Sequence, residues 1–93
     1  MLKIWLFSEK GCGACSLNET RIKDVLKDFP KISFQHVDIE SHGDLIKKYQ
    51  VLTAPTIVVT NDDKKIYEIT GIIERERFHR ELVYLNFKTS GII

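Results

Sequence analysis

The chain is poor in the residues that mark a specialised scaffold. Its 93 residues include two cysteines, two prolines, five glycines and one tryptophan. Two cysteines are too few to staple a small secreted fold, which commonly needs about two to four bridges. No repeat, low-complexity tract or Pro/Gly/Ser-rich linker divides the chain. It reads as one unit, and its length suits one core rather than two. Net charge is nearly absent as well: 14 Lys plus Arg against 13 Asp plus Glu leave +1. That balance offers no footprint for nucleic acid or an anionic membrane surface. The opening "MLKIWLFSEK" is apolar for about six residues before it meets Glu9 and Lys10, short of a signal h-region or a membrane span. Together these shortages predict a cytoplasmic protein with no nucleic-acid or membrane partner. A static disulfide is disfavoured in that reducing compartment, so the cysteines are expected to be metal ligands or working thiols.

What is present is a regular alternation of patterns. Residues 2–7 are apolar apart from Lys3, with the β-formers Ile4, Trp5 and Phe7, as expected of a central strand covered on both faces. From Cys15 onward Ile22, Val25, Leu26 and Phe29 recur at helical spacing until Pro30 forbids continuation, which predicts a helix of about four turns. Residues 32–39 alternate well enough for a second strand. "ESHGDLIKKY" suggests a short helix, with Ser41 or Asp44 to cap or charge its start. "PTIVVT" and "KIYEIT" flank the turn cluster "NDDK" and predict a hairpin. Phe78, Leu82 and Leu85 then give a last amphipathic helix to about Asn86, followed by a frayed tail "KTSGII". The order β-α-β-α-β-β-α implies an α/β fold with a mixed four-stranded sheet and helices on both faces.

Cys12 and Cys15 lie three residues apart at the predicted strand-to-helix junction. In the first turn of a helix that spacing puts side chains roughly 5–6 Å apart, close enough to form and reopen a disulfide with little backbone movement. Cys15 falls seven residues before Ile22, on the buried stripe, whereas Cys12 sits at the lip. Cys12 is therefore the expected nucleophile and Cys15 the resolving thiol. The helix N-terminus favours a thiolate by roughly 0.3–1 kcal/mol, and about 1.4 kcal/mol corresponds to one pKa unit. Lys10 is a candidate further support for the thiolate. A zinc reading would combine Cys12, Cys15, His36 and His42. Its linker of twenty residues between Cys15 and His36 exceeds the usual span of roughly twelve to fifteen, so no metal is expected.

"IWLFSEKGCGAC" is similar to the opening of glutaredoxins, and "VDIESHGDLIKKYQVLTAPTIVV", followed sixteen residues after Pro55 by Gly71, is similar to thioredoxins. On these motifs the chain resembles the thioredoxin superfamily over residues 2–87. The resemblance implies a thioredoxin-like, glutaredoxin-sized domain spanning residues 1–88 and a tail of 89–93. It implies a dithiol–disulfide oxidoreductase in which Cys12 attacks and Cys15 resolves. It also implies that Pro55 is a cis-proline beside the disulfide, and that substrate pairs against Ala54, with room left by Gly71 and contacts from Gly11, Gly13 and Ala14. No bound cofactor is implied. Electrons would come from NADPH through thioredoxin reductase rather than glutathione, and protein disulfides, ribonucleotide reductase among them, would be the clients of a monomeric protein.

Departures from the family pattern sharpen the expectation. Thioredoxins carry a buried acid six residues before the first cysteine; here that position is Leu6. The Lys usually near that acid is replaced by His36, so water, Glu9 or His36 would take the proton of Cys15. The proline of Cys-Gly-Pro-Cys becomes Ala14. The Cys-Pro-Tyr-Cys and Gly-Gly-x-Asp signatures of glutaredoxins are both absent. A glutathione-coupled glutaredoxin is the alternative within enzymes, and a non-catalytic or zinc-binding module on the same fold is the alternative outside them. Trp5 is expected in the core, His79 and the "ERERFHRE" face in solvent, and Ile92 and Ile93 in the untethered tail.

Overall fold

A computed structural model describes residues 1–89. The elements are β1 (Leu2–Ser8), α1 (Gly13–Leu26), β2 (Ser33–Asp38), α2 (Gly43–Tyr49), β3 (Thr56–Asn61), β4 (Lys64–Thr70) and α3 (Arg75–Thr89). The expected order holds throughout. The strands lie in the order β2-β1-β3-β4, with β1 parallel to β2 and antiparallel to β3, and β3 antiparallel to β4. β1 carries apolar residues on both faces because both faces of the sheet are covered. Ile4 and Leu6 point into one core with Ile57 and Val59, roofed by Ile22 and Val25 of α1 and Phe78, Leu82 and Leu85 of α3. Trp5 and Phe7 point the other way, to Val37, Val58, Tyr49 and Val51. The period of two along one strand thus divides the protein into two apolar layers. Trp5 is buried as expected, and its indole N–H donates to Thr60 Oγ1 at 3.0 Å.

The hairpin turns on Asp62 and Asp63, with φ of 51° and 72°. Positive φ at both central positions is the tight-hairpin geometry that Asp and Asn tolerate better than most residues. A register shift between Val59 and Thr60 leaves Ile66 unpaired in the ladder. This bulge explains why the neighbours Ile66 and Tyr67 both pack on the α1/α3 core.

Two boundaries differ from expectation. Ser41 does not cap α2: His42 is the cap residue and makes no side-chain cap bond, while Asp44 does supply the negative charge in the first turn. The last helix runs past Asn86 to Thr89, because no helix breaker precedes Gly91. Lys88 and Thr89, expected in the frayed tail, are thus helical, and Thr89 Oγ1 donates to the Leu85 carbonyl at 2.8 Å. Ile92 and Ile93 lie outside the described residues. Among the described residues no helix is long and apolar enough to cross a membrane.

Candidate active site

β1 delivers the chain to Ser8, and a short turn, closed by a bond from Cys12 N to Glu9 O at 3.3 Å, delivers it to α1. Gly11 has φ +76° in that turn, a conformation costly for residues with a Cβ. Cys12 is the N-cap of α1, and its Sγ accepts the backbone N–H of Cys15 at 3.0 Å. A sulfur therefore occupies the place where Ser, Thr, Asn or Asp usually satisfies the first free N–H groups of a helix. The first turn holds no acidic side chain, so nothing there competes with a thiolate for the positive end of the helix dipole. Cys12 and Cys15 are joined in a disulfide with Cα atoms 5.2 Å apart. Cys15 is 4% exposed, whereas Cys12 is half-buried at the lip. The stripe Cys15, Asn18, Ile22 and Val25 at helical spacing accounts for the asymmetry. Gly13 is exposed and Ala14 half-buried on the same turn.

A second group of candidate residues comes from the far ends of β3 and β4. The Ala54–Pro55 bond is cis. The β3–β4 ladder begins at Thr56 and Thr70, so Ala54 and Gly71 lie just outside it. Gly71 N donates to Pro55 O at 3.0 Å, and Thr56 Oγ1 holds the loop by donating to Thr53 O at 2.6 Å. Gly71 has φ +84°, and a Cβ built on it would meet no atom within 4 Å. Open space lies above it. Leu52, 96% exposed, and Ile72, 57% exposed, flank the pair in sequence.

Cys12 and Cys15 line an open depression of about 290 Å³ together with Ser8, Glu9, Gly11, Gly13, Ser16 and His36. His36 is paired with Leu6 across the β1–β2 ladder, and Leu6 is fully buried in the α1/α3 core. His36 Nε2 is hydrogen-bonded to Ser8 Oγ, and its Nδ1 lies 3.9 Å from Glu19 Oε1. Glu19 is also paired with Lys23 at 3.1 Å. A carboxylate beside Nδ1 favours the tautomer protonated there, so Nε2 accepts the Ser8 hydroxyl proton. Lys10 is exposed and lines the neighbouring depression with Glu9, His36, Asp38, Ser41 and His42, apart from the cysteines. Among the described residues no group of three His, Cys, Asp or Glu side chains is placed to hold a metal ion.

Gly11, Cys12, Gly13, Cys15 and His36 are thus brought together in one depression, while Ala54, Pro55 and Gly71 form a second cluster at the strand ends. Sequence reasoning missed three residues: Ser8 and Glu19, which face His36 beside the cysteines, and Asn18, which connects α1 to Gly71. The period of two from Leu6 puts Ser8 on the face of Leu6, and a polar Asn18 on an otherwise apolar helix stripe is a signal in itself. Asn18 is fully buried. Its Nδ2 donates to Gly71 O at 2.8 Å and its Oδ1 accepts from Ile73 N at 3.0 Å. Arg21 Nη1 donates to Ile73 O, and Arg75 is paired with Asp24. That guanidinium hydrogen bond and charge hold the Asp24 carboxyl below its usual range.

The family model described as Thioredoxin matches residues 3–83. A thioredoxin H-type protein of Fagopyrum esculentum is 26% identical over 84% of this chain and 67% of its own length. Thioredoxin-1 of Saccharomyces cerevisiae is 25% identical over 64% of this chain and 58% of its own length. The chain thus spans two thirds or less of these two relatives. In structure it is similar to thioredoxin-2 of a malaria parasite, described as a component of that parasite's protein secretion machinery. The TM-score is 0.80 at 19% identity, covering 90% of this chain and 82% of that one.

Proposed function

The chain belongs to the thioredoxin family, whose members are thiol–disulfide oxidoreductases, and from that premise we propose that it reduces protein disulfides through Cys12 and Cys15. The observation that carries this reading is the asymmetry of the pair: Cys12 Sγ at the helix N-terminus, half-buried, with Cys15 buried behind it. In the dithiol form the helix N-terminus favours the Cys12 thiolate. That thiolate attacks one sulfur of a substrate disulfide, the substrate S–S bond breaks, and the released thiolate takes a proton from solvent. Cys15 then gives up its proton and attacks Cys12 Sγ, and the second substrate thiolate leaves and is protonated. Two electrons and two protons pass to the substrate, and the Cys12–Cys15 disulfide remains.

The proton of Cys15 needs an acceptor, and the buried position that holds an acid in thioredoxins is Leu6 here. The reading assigns that task to Ser8 and His36, which line the depression with Cys15. The Ser8 hydroxyl accepts from the thiol as it donates to His36 Nε2, and Glu19 faces the imidazolium that results. Substrate docks as an extended segment against Ala54, with Gly71 leaving space for it and Gly11, Gly13 and Ala14 bordering the reacting sulfur. Electrons to reopen the disulfide come from NADPH through a thioredoxin reductase, in a reducing cytoplasm. Ribonucleotide reductase is a candidate client. The thioredoxin relatives favour this electron source over glutathione.

Insulin-disulfide reduction with dithiothreitol tests the activity, and failure of the wild type to accelerate it would sink the proposal. Cys12→Ser is expected to abolish turnover, and Cys15→Ser to trap a mixed disulfide on Cys12. Trapping by the opposite variant would reverse the roles. Turnover with NADPH and thioredoxin reductase, compared with glutathione and glutathione reductase, identifies the electron source.

A further inference from the structure

Asn18 is the one fully buried polar side chain on the inner stripe of α1 among the described residues. A buried amide is costly unless both of its ends are hydrogen-bonded. Both ends of Asn18 are used by a single distant segment, Gly71 O and Ile73 N, 53 and 55 residues further along the chain. Gly71 in turn donates its N–H to Pro55 O. The chain of bonds therefore runs from a residue one turn beyond Cys15, through Asn18, to Gly71, and on to Pro55. A leucine at position 18 would suit the apolar stripe of Ile22 and Val25, but it would leave Gly71 O and Ile73 N without their partner. The side chain is fitted to the connector, not to the core.

We propose that Asn18 is a positioning residue that fixes the Pro55/Gly71 docking wall relative to the Cys12–Cys15 helix, so that substrate backbone and reacting sulfur stay in register. Asn18 hydrogen-bonds to Gly71 and Ile73 and to neither cysteine sulfur. Its loss is felt in docking while the thiol exchange itself persists. The inference rests on the reading that protein disulfides dock at Ala54 and Gly71.

The test uses the full chain with two substrates: insulin, a protein disulfide that needs the docking wall, and 5,5′-dithiobis(2-nitrobenzoate), a small disulfide that does not. Asn18→Leu is expected to raise KM for insulin about tenfold or more with kcat little changed, and to leave the small-disulfide rate within about twofold of wild type. The redox equilibrium of Cys12–Cys15 against a glutathione couple should be unmoved. Asn18→Asp, which keeps an acceptor for Ile73 N but sets a buried carboxylate oxygen against Gly71 O, should show the same split at equal or larger size. Equal loss on both substrates, a shifted redox equilibrium, or no change on either substrate would overturn the proposal. Wild-type amide exchange provides a test without a variant: Ile73 N–H is expected to exchange slowly, and free exchange would also overturn it. If the wild type reduced no insulin, the functional reading would fail; if it did and the variants matched it, only the role of Asn18 would fail.

Discussion

The two halves of the site are built by different means. At the helix mouth, residues 11–15 are neighbours in sequence, and one helix start sets their geometry. Cys12 caps the helix with its sulfur, and Cys15 follows three residues later on the buried stripe. The half proposed to dock substrate has no such local device. Ala54–Pro55 and Gly71 lie at the ends of two antiparallel strands, joined to each other by one backbone bond. Gly71 is tied to α1 by the side chain of Asn18, and the connector that follows it by Asn18, Arg21 and Asp24 through Ile73 and Arg75. Short-range spacing is enough to specify a reacting pair, whereas docking against a second chain segment requires long-range polar ties. Damage to the helix mouth should therefore impair every substrate, and damage to the strand ends should impair those with a backbone to dock.

The largest effect among substitutions that spare the cysteines is expected at the helix mouth. In the proposed mechanism His36 receives the Cys15 proton through Ser8, and His36→Ala would remove that group. Positioned acid–base groups typically contribute about 10²- to 10⁴-fold; because the depression is open, water replaces part of the function. Turnover should fall roughly ten- to hundredfold on insulin and on a small disulfide alike, with the mixed disulfide on Cys12 accumulating. Added imidazole should restore part of the rate, since His36 is about half exposed. Unchanged turnover, or a loss confined to insulin, would remove His36 from the proton path.

A smaller and more selective effect is expected at the strand ends. Gly71→Val puts a branched side chain into the open space above Gly71 and forces it to adopt φ +84°, a region where β-branched residues are genuine outliers. The rate constant kcat/KM for insulin should fall about tenfold, corresponding to roughly 1.4 kcal/mol, mainly through KM. The small-disulfide rate should fall far less. A thermal melt separates any loss of folding stability from loss of docking. Equal losses on the two substrates would erase the distinction between the halves.

These differences also explain what could be read from the sequence. The strand and helix order, the central β1, the hairpin at Asp62–Asp63 and the burial of Cys15 all follow from local periodicity and turn chemistry. The difference in burial between Cys12 and Cys15, on which their proposed roles rest, was legible from the helical phase of Ile22. Pro55 and Gly71 were legible only through resemblance, since neither the cis bond nor the Gly71–Pro55 hydrogen bond leaves a local trace. Ser8, Glu19 and Asn18 were overlooked because their meaning depends on partners 28, 17 and 53 residues away. The end of the last helix was set too early because apolar spacing marks the packed part of a helix, and the final turn to Thr89 continues with little of it.

The smallest effect concerns the ion pair between Asp24 and Arg75 that helps to tie the connector after Gly71 to α1. The guanidinium holds the Asp24 carboxyl below its ordinary value of 3.8, so the folded protein binds that proton more weakly than the unfolded chain does. The stabilisation is therefore fully present above pH 3.8 and is lost as pH falls through the lower folded value. Both partners are only half-buried, so the contribution is small and screened by salt. Urea midpoints of wild type and Asp24→Asn should differ slightly at pH 7 in low salt, and converge below about pH 4 or in about 1 M salt. A difference that widened in acid would contradict the assignment. The Asn18 bonds carry no titratable group, so the tie they form does not depend on the charge of Asp24. Protection of the Ile73 amide should therefore persist in acid that removes the Asp24 contribution, and loss of both at the same pH would mean that the charged pair, not the buried amide, holds the docking wall to the helix.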